Sequence, residues 1–104
     1  MHKDEAVPHH DLRTVQQHCG WRWRTITLKA SAEAQLLGFE EEDIDSCILA
    51  LTPGDYHKSM PDDKFPGCFL DVYRPLYLGK HLYVKFGMPD SWVKIISFKE
   101  DTSK

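Results

Sequence analysis

A chain of 104 residues has room for one domain with a single modest core. Its 41% hydrophobic and 28% charged residues match an ordinary soluble globular protein and exclude a disordered tract, while no apolar run approaches the ~20 residues of a membrane span. The formal net charge of −3 argues against a polyanion partner only until it is divided along the chain. Residues 1–51 carry −4, residues 52–99 carry +2 and residues 100–104 carry −1. Local potential, more than the total, governs attraction to a polyanion.

Residues 1–10 form a polar arm closed by Pro8, and Met1–Glu5 lacks the apolar core of a signal peptide, so a cytoplasmic location is expected. Three cysteines, Cys19, Cys47 and Cys68, make no CxxC pair, and their odd count speaks against a disulfide framework. Cys47 fits a core position. His9, His10, His18 and Cys19 are close in sequence but lack a zinc-ligand spacing, so neither a metal nor another cofactor is expected.

Residues 11–60 read as mainly helical. Asp11 can cap a short helix with Leu12, Val15 and Cys19 on one side, ended by Gly20. Trp21–Leu28 alternates as a strand or extended arm. Its arginines could stack on bases, or their stems could lie over a hydrophobic edge, which is the favoured reading. A second helix spans Ser31–Leu37, stopped by Gly38-Phe39. The acidic run Glu40–Asp43 opens a third, where the partial positive charge of a helix N-terminus favours carboxylates. Ile44, Cys47, Ile48 and Leu51 then fall at i, i+3, i+4 and i+7, the strongest helical signal in the chain. Thr52-Pro53-Gly54-Asp55 is another start signal, predicting one or two turns that carry Tyr56, His57, Lys58 and Met60. Pro61–Gly67 is a loop.

Residues 69–99 predict a sheet of three strands, Phe69–Leu76, His81–Gly87 and Trp92–Lys99, joined by short turns as an antiparallel meander. In the middle strand Leu82, Val84 and Phe86 alternate with His81, Tyr83 and Lys85, giving one core face and one face for water or a ligand. Tyr73, Arg74, His81, Tyr83, Lys85 and Lys99 complete a polar set suited to a phosphodiester, or to a solvated sheet face.

Four segments, taken in order, resemble one family: Asp55-Tyr56-His57-Lys58-Ser59-Met60, Asp71-Val72-Tyr73-Arg74-Pro75, Tyr83-Val84-Lys85 and Ser97-Phe98-Lys99-Glu100. The sequence is similar over nearly its whole length to the motility quorum-sensing regulator (MqsR) family of bacterial type II toxins. The resemblance implies an α/β (α+β) protein with the RelE-like toxin fold, a mainly antiparallel sheet flanked by N-terminal helices in a single domain. It implies an mRNA endoribonuclease whose cleavage residues match Lys58, Tyr83 and Lys99, with Arg74 and Met60 beside them. It also implies a cognate antitoxin with zinc-binding and helix-turn-helix regions, mRNA as substrate, and neither membrane association nor direct DNA binding outside the antitoxin complex. Two positions depart from the family. Leu70 stands where it has glutamine, and His57 where it has tyrosine.

RNA is cut without a metal when its own 2′-hydroxyl attacks the adjacent phosphorus, given a base, an acid and cations for the developing charge. Lys58, Lys99 and Arg74 are the cations. Tyr83 can orient the 2′-hydroxyl or donate a proton, and His57 or His81 can serve as base, with Tyr73 and Met60 as substrate contacts. The alternative is a catalytically weakened module that binds antitoxin or RNA without efficient cleavage, which Leu70 favours.

Overall fold

Each helix starts where a side chain can satisfy orphan backbone N–H groups. In the computed structural model, which describes residues 4–102, Asp11 accepts from Thr14 N–H and caps α1, Leu12–Gly20. Thr27 accepts from Ala30 N–H and starts α2, Leu28–Leu36, three residues earlier than the periodicity suggests. Glu40 and Asp43 form a reciprocal capping box on α3, Glu41–Leu49, so part of the acidic run is a cap.

Six strands form one open mixed sheet: β1 Arg24–Ile26, β2 Tyr56–Pro61, β3 Phe69–Tyr73, β4 Leu76–Tyr77, β5 Lys80–Gly87 and β6 Val93–Glu100. Their order is β1-β6-β5-β3-β2, with β4 on β5 off this path. The predicted antiparallel meander is present as β3, β5 and β6. β1 joins β6 in parallel, so part of the alternating Trp21–Leu28 stretch is a strand. The α+β class expected from the sequence holds.

One expectation is overturned. Thr52-Pro53-Gly54-Asp55 does begin a helical turn, with Asp55 accepting from Thr52 N–H, but only as a 3₁₀ turn over Pro53–Asp55. Tyr56–Pro61 then runs as a strand on β3, so Lys58 and Met60 stand on β2 and not on a helix. Six extended residues gain a ladder of bonds to β3, whereas the helical alternative would offer only a local turn.

The Arg24 side chain is mostly buried, with its guanidinium held by carboxylates of α3. Its Nε and Nη2 donate to Asp45 at 2.9 and 2.6 Å, and Nη1 meets Glu41 at 3.0 Å, tying β1 to α3. Trp21 and Trp23 stack edge to face and stay exposed. Where β1 ends, Glu33 of α2 accepts from Phe98 N–H at 3.0 Å, which satisfies the uncovered edge of β6. At the other edge the arm adds a bridge to β2, Glu5 N–H to Ser59 O at 2.7 Å and Ser59 N–H to Glu5 O at 2.8 Å.

The core lies between the helices and one sheet face. Val15 and Cys19, Ala30 and Ala34, and Ile44, Cys47 and Ile48 pack with Tyr73, Val84, Phe86, Ile95 and Phe98. Ile48 has no exposed surface. Ile48→Ala should lower unfolding free energy by ~2–5 kcal/mol in a denaturant melt. A loss below about 0.5 kcal/mol, the usual surface range, would contradict its place in the core.

Candidate active site

Side chains alternate across a strand, so the register decides which residues share the sheet face turned away from the helices. Lys58 pairs with Val72, Val72 with Lys85, and Lys85 with Ser97, giving one row across four strands. Tyr83 pairs with Lys99 in the next row. Arg74, one residue past β3, continues the alternation from Val72 toward Tyr83. Met60 and Leu70 pair on the other side of the Lys58 row. Val72 and Leu70 are buried yet stand apart from the main apolar cluster, as expected for residues roofed by long polar side chains.

Two bulges adjust this face. The β2–β3 register shifts between Tyr56 and Lys58, which frees His57 from strict alternation, and the β5–β6 register skips Ile96. Bulges bend strands and re-aim side chains, and they concentrate beside active sites. His57, Arg74, His81 and Asp101 line one open cavity of about 260 Å³ at the sheet end. There the Arg74 Nε donates to Asp101 Oδ2 at 2.7 Å.

The electrostatics differ from lysine to lysine. Lys58 Nζ meets Asp4 Oδ2 at 2.9 Å, and this hydrogen bond raises its pKa above the usual lysine range. Burial, followed by the neighbouring Lys29 and Lys99 charges, lowers that of Lys85. Burial raises the Tyr83 phenol, against the pull of Lys58, so the phenol stays protonated at neutral pH. Lys99 Nζ sits 5.1 Å from the centre of its ring. Burial and then the charges of Arg74 and Lys58 lower the His57 imidazole.

Of the residues singled out from the sequence, Lys58, Tyr83, Lys99 and Met60 share this face, with Arg74, His57 and His81 at its end. Tyr73 does not belong with them. It is fully buried on the core face, stacked on Phe86, and burial beside Asp71 pushes its phenol up to about 12. Lys85, one of the polar set on the middle strand, stands in the row between Val72 and Ser97, a place that inter-strand register decides. His9 stacks on Phe69, His10 bonds Phe69 O and His18 bonds Thr14 O. Among the described residues no group of three or more His, Cys, Asp or Glu side chains is arranged to hold a metal ion, and no helix is long and apolar enough to cross a membrane.

Fold and site together define a small α+β protein with lysines, a tyrosine and an arginine gathered on and beside one sheet face. The family model described as "Motility quorum-sensing regulator, toxin of MqsA" matches residues 7–100, and the chain belongs to that family. It is similar to the mRNA interferase toxin MqsR of Escherichia coli K12, with 29% identity over 97 residues that cover 93% of this chain and 98% of the relative.

The two imposed shifts can be measured by NMR titration. The His57 ring should titrate below the ordinary imidazole value of ~6.5, and Arg74→Ala should move it upward by removing a repelling charge. Asp4→Asn should lower the Lys58 pKa. A His57 midpoint at or above the ordinary value would contradict the placement beside Arg74.

Proposed function

We propose that this protein is the toxin of a type II toxin–antitoxin pair and a metal-independent endoribonuclease that cleaves mRNA by 2′-hydroxyl attack. The observation that carries this reading is the meeting of Lys58, Tyr83 and Lys99 across the sheet, with Arg74 and His57 at its end. Family membership and a relative named as an mRNA interferase support it.

The roles follow from charge. Arg74 and Lys58 hold the scissile phosphate, and with Lys99 they offset the charge that develops on the phosphorane. A Lys58 ammonium with a raised pKa suits that role and not that of a base. His57, neutral at pH 7, takes the proton of the 2′-hydroxyl as its oxygen bonds to phosphorus. The bond to the 5′-oxygen breaks, and Tyr83 donates the proton that oxygen needs. The charge of Lys58, which draws the phenol's pKa down against burial, favours the phenolate that remains. The products are a 2′,3′-cyclic phosphate and a free 5′-hydroxyl. The lysines and arginine supply the positive charge, so the scheme requires no divalent ion.

Lys58→Ala, Tyr83→Phe, Arg74→Ala and Lys99→Ala should each lower the cleavage rate by roughly 10²–10³-fold while the proteins stay folded. A 2′-deoxy nucleotide at the cut should block the reaction, and chelator should leave the rate unchanged. The rate should rise with pH through a value below ~6.5 as His57 loses its proton, then level off, and His57→Tyr should abolish that limb. Four variants cleaving like the parent would place the chemistry elsewhere, and a requirement for Mg²⁺ would refute the mechanism.

The proposed partner is a cognate antitoxin with zinc-binding and helix-turn-helix regions. Induction of the toxin alone should arrest growth, co-expression of the antitoxin should restore it, and Lys58→Ala should be harmless. Normal growth with abundant folded wild-type protein would favour a module that binds without cutting.

A further inference from the structure

Beside the lysine rows the same face carries a second cavity of about 280 Å³ that the cleavage chemistry leaves unused. Met60, Leu70 and Ile96 give it apolar walls, and Phe65 overhangs it from the β2–β3 loop. Gly87 makes the floor possible, because a Cβ there would come within 2.7 Å of Leu70 Cδ2. The loop is held by its own bonds, Asp62 N–H to Cys68 O at 2.9 Å and Cys68 N–H to Phe65 O at 3.0 Å. Lys94 Nζ lies 5.5 Å from the centre of the Phe65 ring, and the residue remains 40% exposed, so aromatic surface is left for another ring.

We infer that this cavity is a nucleobase subsite, holding one unpaired base of the RNA next to the scissile phosphate and stacking it on Phe65. The inference rests on the ribonuclease reading above. Three observations select a base as occupant. Lys85 lines the cavity and also stands in the Lys58 row, so the cavity is continuous with the phosphate-binding face. Two residues along a strand span about 7 Å, so the Met60–Leu70 row lies one short step from Lys58. Lys29, Lys64, Lys85 and Lys94 outnumber Asp62 and Asp63 around an apolar interior, the pairing of aromatic platform and net cationic groove by which single strands are bound. A volume near 300 Å³ is at the small end of ligand pockets and suits one ring system. Leu70 keeps the floor apolar, so shape and stacking select the base there more than hydrogen bonds from below.

The test uses the full chain and a synthetic RNA containing its cut site, with each nucleotide near the cut replaced in turn by an abasic one. Loss of one base should slow the wild type about tenfold to hundredfold, the range of a single base–aromatic stack. Phe65→Ala should slow cleavage of intact RNA by a similar factor, and the same abasic RNA should slow it little further. Phe65→Trp should retain the rate. In RNA blocked by a 2′-deoxy nucleotide, 2-aminopurine at that position should be quenched on binding wild type and not on binding Phe65→Ala. Multiplying losses, or equal cleavage of intact and abasic RNA, would overturn the subsite and leave the ribonuclease standing. Quenching without cleavage of unblocked RNA would sink the ribonuclease reading while upholding the subsite.

Discussion

A carboxylate with no exposed surface, that of Asp71 on β3, holds the working edge of this molecule together. It accepts the backbone N–H groups of His9 at 3.0 Å and His10 at 2.9 Å, together with the Ser59 hydroxyl from β2. A buried carboxylate stripped of such donors costs several kcal/mol, so arm and strand are bound to one another through it. The consequences reach the opposite face. With Ser59 fixed on the core side opposite Asp71, the next ladder position puts Lys58 on the other face beside Val72. A slip of one residue would bury the lysine and expose the serine. The arm that Asp71 anchors also closes the β2 edge through Glu5 and carries Asp4 to Lys58.

Patterns repeated over several residues were legible in the sequence. Alternation placed β5 and β6 and chose the core face through Leu82, Val84 and Phe86, and the i, i+3, i+4 spacing placed α3. Local capping signals were legible too, but not their reach. Thr52 and Asp55 form the capping box the sequence promises, and the turn still stops after Asp55 because β3 offers the following residues a ladder. A bulge at His57 breaks the alternation that would have betrayed β2. The start of α2 was hidden for a different reason. Leu28 and Leu36 are almost fully exposed, so apolar periodicity could not bound a helix whose buried side is the small pair Ala30 and Ala34.

The candidate site was legible mainly through resemblance, which pointed to Lys58, Tyr83, Lys99 and Arg74. Their convergence from separate strands depends on register, and register is not a property of any one segment. Tyr73 shows the limit of motif reasoning. It sits beside Arg74 in sequence, but strand alternation sends the two side chains to opposite faces, one into the core. Lys85 is the converse case, present in a motif without an assigned role and brought into the Lys58 row only by its register with Val72.

The charge distribution resolves the conflict between a net charge of −3 and a polyanionic substrate. Much of the acidity is committed elsewhere: Glu40 and Asp43 cap α3, while Glu41 and Asp45 hold Arg24. Three of the acids that reach the sheet's polar side are set against a cation there, Asp4 on Lys58, Glu33 on Lys29 and Asp101 on Arg74. Such pairs are weak where solvent reaches them, since exposed ion pairs contribute about 0–1 kcal/mol. A phosphate can therefore replace Asp4 at Lys58 at small expense, exchanging one charge-assisted hydrogen bond for another. Asp101 is the firmer partner, because its side chain is mostly buried and its backbone N–H bonds His81 O. Arg74 is thus held in one orientation, whereas Lys58 is tied only by a pair that solvent reaches.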